Sequence, residues 1–237
     1  MTNSTTPLAN CDWPTLTTQL NDNGYAVTPP LLSTADCLEL IALYDQPDPW
    51  RARVEPDKYR LGPGEYQHFA EPLPATMAAF REECYEHLAP VANAWHDKLG
   101  MQTRFPRHLK EFLDICHLTG QTKPAPAVHR HATHDFQSLR DAPGPHHTFP
   151  LRMTIMLSKP GKDFTGGDLM LVENLPRARS RGHVIPLKQG QAAIWPGRYR
   201  PGTGVRGSIY RIEVRNGISK VHSGTRHALE VAFHDTD

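Results

Sequence analysis

The sequence predicts an α+β protein, mainly β, in which helices support an antiparallel sandwich or jelly roll. Two observations predict this class. Apolar residues recur at helical spacing before Gly120, and short apolar runs separated by Gly and Pro follow it. Helices followed by a run of short strands are typical of a sheet core with helices packed against it. We expect a single domain over 1–237, with a helical support region at 1–119 and the β core at 120–237.

Four helices are predicted, and capping residues indicate their ends. Asp12 precedes Trp13-Pro14, an acidic cap before a proline that suits the first turn, and Ser33 or Thr34 caps the second helix. Pro90 lies inside the third helix and is expected to kink it or divide it in two. The predicted helices are 12–24, 33–44, 74–100 and 106–117. The stretch 45–66, rich in Pro, Gly and charge, is expected to be an ordered loop.

The second half of the chain predicts strands of four to seven residues. Their short length and the Gly and Pro between them favour an antiparallel sandwich or jelly roll. The predicted strands are 127–131, 151–157, 168–172, 183–186, 191–195, 210–214 and 228–233.

Composition excludes several classes of protein. The chain has 26 Lys+Arg and 25 Asp+Glu, a net charge of +1, so we expect no nucleic-acid partner. No apolar run approaches the roughly 18 residues that span a bilayer, and the polar start lacks the pattern of a secretory signal, so we expect a cytoplasmic protein with no membrane contact. The four cysteines form no Cys-x-x-Cys and are expected to be reduced and structural: Cys11, Cys37, Cys84 and Cys116.

Several stretches of the sequence match one known family. The most specific reads LSKPGKDFTGGDL over 157–169, and the others lie at 62–66, 72–74, 120–124, 186–190, 221–227 and 233–235. In these stretches, which extend over nearly the whole chain, the protein resembles the iron- and 2-oxoglutarate-dependent oxygenases of the prolyl-4-hydroxylase-like group. The resemblance implies a double-stranded β-helix, a jelly roll with an N-terminal helical layer, and an active site inside the barrel mouth.

The iron ligands of that family are absent from this sequence. The family holds Fe(II) with a His-x-Asp pair and a distant His, and this chain contains no His-x-Asp or His-x-Glu. Counted along the matched stretches, the three ligand positions fall on Arg140, Ala142 and Asn216. Arg226 matches the basic residue that binds the distal carboxylate of 2-oxoglutarate. The resemblance therefore implies a preserved anion anchor beside a changed metal site.

Other histidines are candidates for a relocated metal site. His129 and His131 are two residues apart on a predicted strand, so their side chains leave the same face, and the resemblance places that face inside the barrel. His222 lies four residues before Arg226, and His134 follows at a turn. We predict a metal site from His129, His131 and His222, with His134 or Asn216 as further candidates. The alternatives are that His129 and His131 face a water-filled cavity without a metal, and that His222 lies at the surface.

The predicted function is that of a mononuclear non-haem iron oxygenase. It would use O2 to oxidise or rearrange a small organic substrate, for example a ring compound that coordinates the metal itself. Arg226 would be the catalytic residue that anchors this substrate. An all-imidazole iron centre lacks the carboxylate that helps 2-oxoglutarate chemistry, so dependence on that co-substrate stays open. The alternatives are a 2-oxoglutarate-dependent hydroxylase with atypical ligands and a non-catalytic binding protein on the same fold. Specialised metabolism is the expected setting, by analogy alone.

Overall fold

The computed structural model describes residues 7–55, 62–141, 144–176 and 179–237. Its helices are α1 (Trp13–Asn23), α2 (Thr34–Leu43), α3 (Ala75–Lys98) and α4 (Leu109–Leu118), preceded by a 3-10 turn at Pro7–Asn10. Its strands are β1 (Ala26–Val27), β2 (Trp50–Val54), β3 (Glu65–Phe69), β4 (Lys123–Pro124), β5 (Ala127–Ala132), β6 (Gln137–Arg140), β7 (Leu151–Met156), β8 (Phe164–Gly166), β9 (Leu169–Asn174), β10 (Arg181–Ile185), β11 (Ala192–Pro196), β12 (Tyr199–Thr203), β13 (Ile209–Ile218), β14 (Val221–Val231) and β15 (Asp235–Thr236).

Two antiparallel sheets face each other and form a barrel. The larger sheet has the order β1-β11-β7-β14-β5-β3-β2, with β8 paired to β14. The smaller has the order β10-β9-β13-β12, with β6 paired to β13. Apolar side chains of both sheets meet between them around Trp195, Ile212 and Val214, and the helices pack with Met153 and Ile155 in a second core. The predicted fold class, a jelly roll with a helical layer, is confirmed.

The predicted helix ends agree with the observed caps. The Asp12 carboxylate accepts a hydrogen bond from the Thr15 backbone N–H at 3.1 Å, and Gly24 ends α1 in the left-handed conformation at φ 79°. Ser33 and Asp36 form a reciprocal capping box at the start of α2. These local signals fix where the first two helices begin.

Pro90 does not divide α3. The helix continues from Ala75 to Lys98 with Pro90 inside it, so the expectation of two separate helices is wrong. Leu88 and Val91, on either side of the proline, are both buried in the helical core. Tertiary packing of this apolar face supplies stability that the local backbone loses at a proline.

Strands also occur in the region predicted to be helical support. The strands β1, β2 and β3 extend the larger sheet, and β2 lies inside the stretch 45–66 that was expected to be a loop. Residues 56–61 of that stretch lie outside the described part of the chain. The cause is long-range pairing: β3 pairs with β5, with Tyr66 opposite His129. A strand defined by a distant partner has little local signal.

The four cysteines, Cys11, Cys37, Cys84 and Cys116, are free. None of the helices in the described ranges combines the length and apolar character needed to cross a bilayer.

Candidate active site

The barrel interior contains a small polar pocket where β5 and β14 lie side by side. His129 and His131 of β5 face it, as do Arg226 and Glu230 of β14, because side chains two residues apart on a strand share a face. Asn216 of β13 faces it from the smaller sheet. We call this space the inner pocket. Its volume is about 20 Å³, room for one water-sized group.

A larger space adjoins the inner pocket and shares two of its residues. This outer cavity, of about 200 Å³, is lined by Tyr66, Arg140, Arg152 and His234 together with the shared His129 and Glu230. A molecule in the outer cavity would therefore lie next to His129 and Glu230 of the inner pocket.

Arg226 is a buried cation whose donors are largely unused. Its side chain is 1% exposed, and its Nε and Nη2 have no hydrogen-bond partner in the described part of the chain. Burial lowers the pKa of Arg226 to about 10, although the carboxylate of Asp168 raises it, so the guanidinium stays charged at neutral pH. Gly167 leaves room for it, since a Cβ there would lie 2.9 Å from Arg226 Cδ. A buried guanidinium with free N–H groups suits an anionic ligand.

His129 and His131 are held as neutral imidazoles. Burial lowers the pKa of His129 to about 4, with Arg140 and Arg226 acting in the same direction, and lowers the pKa of His131 well below its ordinary value. The two rings are nearly parallel, with centroids 6.3 Å apart, and Nδ1 of His131 is buried without a hydrogen-bond partner among the described residues. The neutral form is the one that binds metal ions.

Glu230 is a site residue that the sequence analysis missed. Burial raises its pKa, but Arg152, His129 and Arg140 together lower it to about 2, so the carboxylate is ionised. Arg152 Nη1 donates to Oε1 at 2.5 Å, whereas Oε2 faces His129 Nε2 at 3.4 Å. Counting in steps of two from Arg226 along β14 points to Glu230, since both then share the inward face.

His134 and His222 do not join the other two histidines. Both are exposed: His134 lies in the turn after β5 at φ 79°, and His222 lies on the outer side of β14. The register between β14 and β8 shifts between Val221 and Ser223, so that Val221 is buried and His222 is directed outward. Within the described ranges no three His, Cys, Asp or Glu side chains are arranged to hold a metal ion. The four-histidine arrangement expected from the sequence is corrected accordingly.

Residues 64–236 match the sequence profile of the Oxygenase-NA family, described as an oxygenase catalysing oxidative methylation of damaged DNA. The chain belongs to this oxygenase family. Rv2227, an uncharacterized protein of Mycobacterium tuberculosis, is 36% identical over 167 residues, which cover 70% of this chain and 71% of that protein.

Solved structures with the same fold are Fe(II)- and 2-oxoglutarate-type oxygenases. A Pseudomonas putida prolyl-4-hydroxylase has a TM-score of 0.55 at 10% identity, covering 92% of this chain and 96% of that one. A 2OG-Fe(II) oxygenase family protein from Burkholderia pseudomallei has a TM-score of 0.52 at 13% identity, covering 94% and 91%. A prolyl hydroxylase from Trichoplax adhaerens, solved with a hypoxia-inducible-factor peptide, has a TM-score of 0.54 at 11% identity, covering 93% and 87%. The predicted resemblance and the predicted oxygenase class are confirmed.

The family's own iron position does not fit Fe(II) in this oxygenase. Arg140 and Asn216 stand opposite each other across β6 and β13, and residue 142 lies outside the described ranges. A guanidinium is a permanent cation without a lone pair for a metal, and an amide is a weak substitute for imidazole. Iron therefore cannot be held there as it is in the family.

A second donor set in the same barrel fits Fe(II) in its chemistry. His129, His131 and Glu230 provide two neutral imidazoles and one ionised carboxylate, the ligand types of non-haem iron oxygenases. Nδ1 of His131 is buried without a hydrogen-bond partner among the described residues, and Oε2 of Glu230 lies near His129 Nε2 and outside the contact with Arg152. In donor type these three residues match a non-haem iron site, although the described residues do not hold them in a ligating arrangement.

Proposed function

We propose that the protein is an iron-dependent oxygenase of a small organic molecule, with His129, His131 and Glu230 as iron ligands and Arg226 as anchor of an organic anion. One observation carries the proposal. A buried guanidinium with unused donors shares one pocket with two neutral imidazoles and a carboxylate. Iron, when bound, supplies the activation of O2.

The chain's own residues bind and orient the reacting molecule. Arg226 would receive a carboxylate through two parallel N–H donors, in an interior where such a contact is stronger than in water. Arg152 holds Glu230 ionised by its contact at 2.5 Å. Trp195 is fixed by its indole N–H, which donates to Thr154 Oγ1 at 3.0 Å, and with Leu169 it excludes water from the inner pocket. Positioning in a dry site is the main contribution of such a protein frame.

The identity of the anion at Arg226 distinguishes two versions of this chemistry. It is either 2-oxoglutarate, as the match of Arg226 to the family's anchor supports, or a carboxylate of the substrate itself. The first version produces succinate in proportion to O2 consumed, and the second produces none.

A non-catalytic binding protein is the second candidate. Arg140 and Asn216 at the family's ligand positions favour it, together with the lack of an assembled three-ligand group among the described residues. This candidate retains anion binding at Arg226 and retains no iron.

The family description names damaged DNA, and the prediction that this protein has no nucleic-acid partner stays a prediction. The balanced charge of +1 and the 200 Å³ outer cavity support a small molecule as substrate. Incubation with a methylated oligonucleotide, followed by mass analysis of its bases, tests the alternative.

The decisive experiment is anaerobic reconstitution with Fe(II), followed by metal analysis and O2 uptake with and without 2-oxoglutarate. We expect one iron per chain in the wild type and loss of iron in His129→Ala and Glu230→Gln. His222→Ala is the matched control, because this exposed histidine lies outside the pocket. A wild type without bound iron would contradict the proposal and support the binding protein. Iron lost equally in His222→Ala would contradict the assigned ligands.

A further inference from the structure

The outer cavity carries more positive than negative charge. Its charged side chains are Arg140, Arg152 and Glu230. Glu230 Oε1 accepts from Arg152 Nη1 at 2.5 Å, so the one carboxylate is already paired with one of the two arginines. Among the residues that line this cavity, Glu230 is the one carboxylate, and its ion pair is with Arg152 and not with Arg140. Arg140 acts electrostatically on Glu230, but the carboxylate is in direct contact with Arg152, so two guanidinium groups share one carboxylate in this cavity.

Two hydrogen-bond donors at this cavity are unused. Nε of Arg140 and Nε of Arg152 are both buried and have no acceptor in the described part of the chain. A buried N–H without an acceptor is unfavourable, and more so when the group is charged. The planar fork of a guanidinium matches the oxygens of a carboxylate or phosphate. An oxyanion in the outer cavity would satisfy both donors.

The cavity is shaped to admit a small molecule. Ala125, Ala127 and Ala232 contribute only methyl groups to its lining, which leaves about 200 Å³ open beside Arg140. The inner pocket, at about 20 Å³, cannot contain the body of an organic ligand. The outer cavity shares His129 and Glu230 with the inner pocket, has the volume for a small ligand, and lies next to Arg140.

We propose that the outer cavity is an oxyanion site in which Arg140, with Arg152 beside it, binds a carboxylate or phosphate group of the substrate. The proposal rests on the proposed function in one respect, that the barrel receives the reacting molecule. It makes the substrate a small organic anion. It also means that Arg140, which stands at the family's iron-ligand position, has become a substrate-binding residue.

Calorimetric titration of the whole protein with inorganic phosphate and with succinate tests the site. We expect the anion that binds more tightly to lose roughly tenfold or more in affinity in Arg140→Gln. Arg140→Lys should recover part of the loss, because it keeps the charge without the fork. Arg198→Gln is the matched control, since Arg198 has a side chain 48% exposed and does not line the outer cavity. The preference for phosphate or succinate identifies the acidic group.

Three results would overturn the anion site. They are unchanged affinity in a folded Arg140→Gln, equal loss in Arg198→Gln, and no measurable binding of either anion by the wild type. A loss seen only in Arg226→Gln would place the anion in the inner pocket and also refute the proposal.

Iron content measured on the same samples distinguishes the anion-site proposal from the proposed oxygenase function. Anion binding that depends on Arg140, in a protein without iron, supports the anion site and contradicts the oxygenase mechanism. Bound iron together with anion binding that does not depend on Arg140 supports the oxygenase mechanism and contradicts the anion site.

Discussion

Replacing Arg226 by methionine should stabilise the protein while removing its anion anchor. Burial holds the pKa of Arg226 at about 10, against an ordinary value above 12. One pKa unit corresponds to about 1.4 kcal/mol, so the folded protein carries a penalty of about 3 kcal/mol for this charge when no anion is bound. Methionine keeps an unbranched chain of similar length in the pocket and removes the charge. The free energy of unfolding should rise by up to about 3 kcal/mol.

Thermal unfolding measures the effect directly. In a chain of this length, 1 kcal/mol shifts the midpoint by about 2–4 °C, so Arg226→Met should melt roughly 6–12 °C above the wild type in anion-free buffer. Adding 2-oxoglutarate should raise the midpoint of the wild type and leave that of the variant unchanged.

Arg81→Met is the matched control, because Arg81 is a buried arginine whose donors are used. Its Nη2 donates to Asp235 Oδ1 at 2.9 Å and its Nε donates to the Ala232 carbonyl at 2.8 Å. Removing it leaves Asp235 and backbone acceptors with fewer partners and should destabilise the protein by about 3 kcal/mol or more. A melting midpoint of Arg226→Met at or below that of the wild type would refute the reasoning that Arg226 is uncompensated.

Three further predictions concern the same framework. First, burial lowers the pKa values of His129, His131 and His234 below 6.5, so on acidification the unfolded chain binds protons that the folded chain does not. The free energy of unfolding should therefore be highest above about pH 7.5 and should fall by about 1.4 kcal/mol per histidine between pH 7.5 and 5.5. A denaturation midpoint independent of pH in this range would contradict this prediction. Second, Gly167→Ala should lower both the melting midpoint and the affinity for 2-oxoglutarate. Gly167 has a φ of 65°, which a residue with a Cβ rarely adopts, and an added Cβ would lie 2.9 Å from Arg226 Cδ. An unchanged affinity in calorimetry would contradict this prediction. Third, Ser33→Ala should cost about 1 kcal/mol in urea denaturation through loss of the α2 capping box, whereas Thr34→Ala, next to it, should cost less.

Local patterns predicted much of the frame around the site. Asp12 and Ser33 indicated the first residues of two helices, since a cap needs only neighbours in sequence. The spacing of His129 and His131 placed both on one face of a strand, and the structure has both in the inner pocket. The motifs at 157–169 and 221–227 indicated the oxygenase family and the position of Arg226.

The expectation that His222 joins the metal site depended on its nearness to Arg226 along the chain. Steps of two back from Arg226 reach residues 224 and 222, which puts His222 on the inward face. The irregularity between Val221 and Ser223 changes this alternation, and Gly224 in the left-handed conformation at φ 77° accompanies it. The buried residue is therefore Val221. A bulge depends on how a partner strand pairs, which the sequence of one strand does not reveal.

The sequence by itself determined the helix ends, the strand-rich second half, the family, and the absence of any His-x-Asp or His-x-Glu pair. Each depends on residue identity and on spacing along the chain. Only the tertiary structure decided that Glu230 joins the two histidines, that Nε of Arg226 and Nε of Arg140 have no hydrogen-bond acceptor among the described residues, and that β3 brings Tyr66 beside His129. These properties arise where strands distant in sequence meet, because burial and charge pairing depend on what the rest of the chain places around each group.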